Sequence, residues 1–181
     1  MWLKVGNFVW FQTVWWLIIL FQNNAILPVV ALIGVWLVLS PQRAADIKLM
    51  SIMFVIGTVV DGLLTYDGLF NFTEQNALIP FWPIPIWLSL LWVAFSGTVH
   101  HSMETFKGRY ALCAVGGAIF APLSYIAGAR FDAVELGASY IVSYAIIAAV
   151  WSVVFPLCFY ISSKLLKTQL TPNIQGESTY D

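Results

Sequence analysis

Residues 57–70 read G-T-V-V-D-G-L-L-T-Y-D-G-L-F, an apolar stretch interrupted by two aspartates. Asp61 is the first group in this chain with evident chemical potential. A carboxyl group surrounded by hydrocarbon costs a few kcal/mol, so it must face the protein interior. There it can bind a ligand, hold a proton or accept hydrogen bonds. Thr58 and Thr65 lie three residues before and four after it. On a helix all three share one face and form a short polar stripe. Asp67 follows six residues on, which turns it about 120° away and rules out a side-by-side dyad. It is expected at the outer interface with Tyr66 and Glu74. Two readings of Asp61 stay open: a binding or proton-handling site, or a structural role as a pair with Arg130 or a hydrogen-bonded packing contact.

Further polar groups interrupt other apolar runs. Ser89, Trp92, Ser96 and His100 are spaced three, four and four apart, on one helical face. His100 and His101 are adjacent, so on a helix they point about 100° apart and would not share one metal. His100 and Glu104 are four apart and could pair. Both histidines are expected to cap a helix end at the interface. Gln12 sits among Trp10, Trp15 and Trp16 and is expected to face protein. The tryptophans would be either an interfacial belt or the wall of an apolar pocket. The candidate ligand-binding set is Gln12, Thr58, Asp61, Thr65, Trp92, Ser96, Tyr125 and Arg130.

Several chemistries find no support. Two histidines are too few for a membrane di-iron centre, and no H-E-x-x-H is present. Gly137-Ala138-Ser139 resembles the serine half of an intramembrane protease. Ser139 is expected on the opposite side from the histidines, however, and a nucleophile needs its base within hydrogen-bond reach. Tyr66-Asp67 resembles half of an aspartyl protease motif whose G-x-G-D half is missing. There is no phosphate loop or dinucleotide fingerprint. No cofactor and no metal is expected. Cys113 and Cys158 lie in apolar runs without CxxC spacing and read as small lipid-facing or packing residues.

The elements that position these groups follow from composition. Of the 181 residues, 60% are hydrophobic and 9% charged. So few charges cannot cover a globular surface in water. Net charge is -1 with no basic tract, so nucleic acid is not an expected partner. Apolar runs lie near 5–22, 25–41, 48–70, 82–101, 110–129 and 137–163. Runs of this length and uniformity are helices, since barrel strands alternate and are shorter. The expected fold is all-α: an integral membrane bundle of six transmembrane helices over residues 1–167. A polar, loose tail over 168–181 follows. With the N-terminus inside, Lys4, Arg43, Lys48, Lys107, Arg109, Lys164 and Lys167 are cytoplasmic, and only Arg130 is outside. Both termini are therefore expected in the cytoplasm. In the fifth run Cys113, Gly117 and Ala121 place small residues every fourth position, as close helix packing in lipid requires. Pro122 and Pro156 are expected to kink their helices.

The stretches W-F-Q, V-V-D-G, P-I-W-L-S-L-L-W-V-A-F and G-G-A-I-F-A-P-L-S-Y-I-A-G-A resemble the family called domain of unknown function 2878. The positions carrying the resemblance are Trp10, Gln12, Asp61, Trp87, Trp92, Pro122, Ser124, Tyr125 and Gly128. The resemblance implies a small multi-pass protein of the bacterial inner membrane. It implies membrane lipids as partners, with lipid-modifying enzymes as further ones. Three functions stand as expectations: an intramembrane site around Asp61 that binds or carries a small or lipidic molecule, a membrane-embedded enzyme or enzyme partner in fatty-acyl or lipid modification, or a scaffold that only packs against other membrane proteins.

Overall fold

The computed structural model describes residues 2–72 and 81–176, with side chains along the last helix as far as Leu166. Glu74 lies outside the described residues. The architecture is all-α. Helix α1 (Trp2–Phe21) runs through a short 3-10 turn (Gln22–Ala25) into α2 (Ile26–Leu39). Then come α3 (Arg43–Tyr66), α4 (Ile86–Ser96), α5 (Tyr110–Arg130) and α6 (Tyr140–Gly176). Two short strands, β1 (Phe70–Asn71) and β2 (Glu135–Leu136), pair antiparallel.

Four helical runs are long and apolar enough to cross a membrane: Trp2–Leu39, Arg43–Tyr66, Tyr110–Arg130 and Tyr140–Leu166. Their outward side chains match a lipid surrounding. Leu27, Leu63, Phe120, Ile141 and Val153 are all more than half exposed, and a sleeve of such residues would be unstable in water. This is the architecture of a membrane-associated, multi-pass protein.

The first run is bent back on itself. The Trp10 indole donates to the Leu32 carbonyl at 3.0 Å and stacks on Trp36 at 5.3 Å, so α2 returns along α1. Gln22, with φ +46°, makes the corner. Later helices also alternate in direction. One end of the bundle gathers Lys4 and Glu104 in an ion pair of 2.7 Å, with Asp46, His100 and Ser162 nearby. The exposed Lys4 ammonium holds the Glu104 carboxyl below its usual range. The other end carries the β1–β2 pair and the bond from Gln22 Nε2 to the Asp132 carbonyl.

The fourth run departs from the expected helix over 82–101. Only Ile86–Ser96 is α-helical. Pro83 and Pro85 lack the N–H that a helix needs there. At the other end Ser96 and Thr98 hydroxyls bond the carbonyls of Val93 and Phe95. Such local bonds compete with the helical ladder. The chain continues as tight turns, with the N–H groups of His101 and Met103 both donating to Thr98 O. Asn7 holds this irregular segment. Its Nδ2 donates to Gly97 O at 3.1 Å, and its Oδ1 accepts from the Ser102 N–H and hydroxyl. Asn7 is fully buried. Non-helical backbone at this depth survives because protein, not lipid, satisfies it.

Pro122 and Pro156 both lie within continuous helical runs. The expected tail lies partly along the end of α6, which runs to Gly176, and partly outside the described residues. Helices α5 and α6 pack backbone to backbone: a Cβ on Gly117 would overlap the Trp151 carbonyl. Gly117→Ala is therefore expected to cost about 1–3 kcal/mol through overpacking. Gly34→Ala, with nothing within 4 Å, is expected to be neutral. Thermal unfolding read by a thiol-reactive fluorogenic dye checks both, because Cys113 and Cys158 are free and buried.

Candidate functional site

Asp61 sits at the join of three helices, with none of its surface exposed. Trp92 Nε1 on α4 donates to Oδ2 at 2.6 Å, and Tyr125 OH on α5 donates to Oδ1 at 2.7 Å. Both oxygens are thus occupied by neutral donors. Of the structural alternatives, the hydrogen-bonded packing contact is present and the pair with Arg130 does not form. Arg130 lies at the exposed end of α5, and among the described residues it makes no ion pair with Asp61. The helix spacing explains the geometry. Asp61 and Gly57 lie one turn apart on α3, and the missing side chain at Gly57 admits the Trp92 indole. Trp151 of α6 stacks on the other face of Trp92 at 4.6 Å. Phe70 stacks on Tyr125 at 5.0 Å and 4°. Two aromatic rings are thereby fixed by stacking on their faces and by Asp61 at their polar edges.

These two rings form part of the wall of a cavity of about 570 Å³. It lies between α1, α4, α5 and α6. Its lining is mostly aromatic, including Trp15, Trp87, Trp92, Phe95, Tyr125 and Trp151. Gln12, Ser102 and Ser124 supply its polar atoms, and Ser124 Oγ receives the Trp15 indole N–H at 2.9 Å. Phe8 on α1 and Phe120 on α5 line the cavity yet are more than half exposed. The cavity therefore opens sideways between α1 and α5.

The sequence candidates divide accordingly. Gln12, Trp92 and Tyr125 line the cavity. Asp61 stands behind its wall. Thr58 bonds Ser89 at 2.9 Å, and Ser89 also receives the Trp82 indole N–H. Thr65 donates to the Asp61 carbonyl and Ser96 to the Val93 carbonyl, each within its own helix. Arg130 is remote from this constellation. Of the tryptophans near Gln12, Trp15 is on the cavity wall, and Trp16 is 45% exposed.

Gly57→Ala tests the fixed wall directly. A Cβ there would overlap the Trp92 ring, so the indole must leave Asp61. A loss of about 1–3 kcal/mol is expected. Gly62→Ala is the control, meeting only Pro83 Cβ at 3.2 Å. Melting of the two variants side by side decides: equal midpoints would mean that Trp92 has room to move.

A second cluster lies at the charged end, and sequence reasoning missed its centre, Asp46. The carboxyl is fully buried. Oδ1 meets His100 Nδ1 at 2.7 Å, while Oδ2 meets His101 Nε2 at 2.8 Å and the Ser40 hydroxyl at 2.5 Å. Ser162 Oγ lies 2.8 Å from His100 Nε2. The two histidines share one partner because the turn at 97–103 replaces the helix that would have splayed them. The pair that the spacing allowed between His100 and Glu104 is absent, Glu104 being taken by Lys4. Among the described residues, no group of His, Cys, Asp and Glu side chains is arranged to hold a metal.

The chain belongs to the family described as Protein of unknown function (DUF2878), whose model matches residues 4–157. No curated protein and no solved structure matches it.

Proposed function

We propose that this member of the family crosses a bacterial inner membrane six times, with both termini cytoplasmic, and binds a lipidic or small apolar molecule in its lateral cavity. The short helices α2 and α4, about 21 and 17 Å long, would cross with the help of their flanking turns. The alternating helix directions and the cation-rich end support this topology.

The single observation that carries the binding reading is the cavity itself. Its volume, about 570 Å³, falls in the range of small-molecule sites, about 300–1,000 Å³. Its walls are apolar with few polar atoms, and its mouth faces lipid between α1 and α5. A molecule dissolved in the bilayer would enter with its hydrocarbon part against Trp92 and Trp151. Gln12 would meet a polar end. Asp61 acts here as a positioning residue, since it holds Trp92 and Tyr125 rather than touching the occupant.

The test is mass spectrometry of what stays bound in lipid nanodiscs. The wild type is compared with Ala121→Phe, which fills the cavity from α5. A defined molecule present on the wild type and lost from a variant of unchanged melting temperature is the expected result. The same bulk phospholipid on both would overturn the reading.

A further inference from the structure

The cluster at the charged end has an order that a plain helix lock does not require. His100 stands between a carboxyl group and a hydroxyl, Asp46 Oδ1 on Nδ1 at 2.7 Å and Ser162 Oγ on Nε2 at 2.8 Å. The roles of the ring nitrogens follow from the neighbours. The Ser40 hydroxyl and His101 Nε2 both meet Asp46 Oδ2, which leaves Oδ1 to His100, and an ionised carboxylate can only accept. Nδ1 of His100 therefore carries the hydrogen, which turns the lone pair of Nε2 toward the Ser162 hydroxyl. Three helices and a turn bring these groups together from positions 40, 46, 100, 101 and 162. Nucleophile, base and orienting acid stand in the sequence that acyl transfer uses.

We propose that Ser162 is an activated nucleophile that takes the acyl group of a carboxylic ester at this end of the bundle. As Ser162 Oγ bonds to the carbonyl carbon, its proton passes to His100 Nε2. The tetrahedral adduct then expels the alcohol oxygen, which takes that proton, and the acyl group stays on Ser162 as an ester. Water, giving a proton to Nε2, attacks this ester. The acid leaves, and Ser162 regains its hydrogen from His100. Ester and water thus become acid and alcohol, with no other reactant. Asp46 keeps the imidazole in the required tautomer and orientation.

Unpartnered polar atoms lie beside the His101 and Ser40 side of the cluster. Trp36 Nε1 and Gln42 Oε1 are buried atoms without a hydrogen-bond partner among the described residues. Both belong to the surroundings of the cluster: Trp36 stands edge-on to His101 at 4.9 Å, and the Gln42 N–H donates to Ser40 Oγ. Buried orphans of this kind are rare and call for a partner. Ser162 itself is buried, 5% exposed, and lies two residues before Lys164 on α6. This inference is independent of the lateral cavity, whose residues do not include the cluster.

The experiment treats the full-length protein in nanodiscs with a small alkyl fluorophosphonate and locates the adduct by peptide mass spectrometry. One adduct on Ser162 is expected, absent from Ser162→Ala. His100→Gln, which can still bond both neighbours but is not a base, is expected to slow labelling at least about a hundredfold. Melting temperatures of all three proteins are taken alongside. Should Ser162→Ala fail to fold, Ser162→Cys with iodoacetamide carries the same comparison in the wild-type and His100→Gln backgrounds. No adduct on the folded wild type, adducts only on other serines, or an equal rate in His100→Gln would each overturn the proposal and leave the cluster a helix lock.

Discussion

Asp61→Leu is expected to lower stability by about 2–4 kcal/mol and to abolish retention of the molecule proposed to occupy the lateral cavity. The side chain removed is the common acceptor for Trp92 Nε1 and Tyr125 OH, at 2.6 and 2.7 Å. Leucine leaves both donors buried and unpaired, at about 1–3 kcal/mol each. Hydrogen bonds between membrane helices tend toward the lower part of that range, which sets the figure. Once freed, the Trp92 ring has no fixed edge, and the cavity wall it shares with Tyr125 loses its shape. Asp61→Asn is the informative companion. Its oxygen can still accept from Trp92, and the Tyr125 hydroxyl can turn to accept from the new amide. The asparagine protein is therefore expected to melt near the wild type and to keep its ligand. Thermal unfolding with bound-lipid mass spectrometry on all three proteins decides the matter. If asparagine were as damaging as leucine, Asp61 would be acting through its charge, and the positioning role assigned to it would be wrong.

Asp46→Ala is expected to be at least as severe, at about 3–5 kcal/mol. One deletion strands His100 Nδ1, His101 Nε2 and the Ser40 hydroxyl, all buried. Removing one partner of a buried polar network costs far more than breaking a surface pair. The damage should also be local. His100 and His101 hold the turn after α4, and Ser40 holds the end of α2, so this end of the bundle should open first. Hydrogen exchange by mass spectrometry on peptides spanning residues 40–50 and 97–106 would show faster exchange there, with the β1–β2 end protected as before. The surface pair Lys4–Glu104 is the reference, since it sits half exposed in solvent. Solvent screens such pairs, so Lys4→Ala should be almost silent. A uniform rise in exchange along the whole chain would contradict the local account.

The comparison of these two acids shows what was legible in the residues. Asp61 is surrounded by apolar neighbours, so its interior position could be read from one dimension: a carboxyl there has nowhere else to go. Asp46 has Arg43 and Lys48 beside it in the chain, and nothing in that local composition singles it out. Its true surroundings come from residues 54 and 55 positions away. The same limit applied to the histidines. A run of apolar residues from 82 to 101 has the hydropathy of a helix, and a helix would have pointed His100 and His101 apart. Hydropathy does not register that Pro83, Pro85 and the hydroxyls of Ser96 and Thr98 compete with the helical ladder. The outcome was decided by Asn7, ninety residues upstream of Gly97, which satisfies the backbone that the broken helix exposes.

By itself the sequence determined that this chain is a helical, multi-pass membrane protein and that Asp61 belongs to the interior. Those properties follow from transfer free energy and helical period, which are local. Only the tertiary structure decided that Asp61 orients a cavity wall and leaves Arg130 apart, that the cavity opens between α1 and α5, and that Asp46, His100 and Ser162 stand in line. Each of those depends on which residues meet across helices far apart in the chain, and no local free energy encodes that meeting.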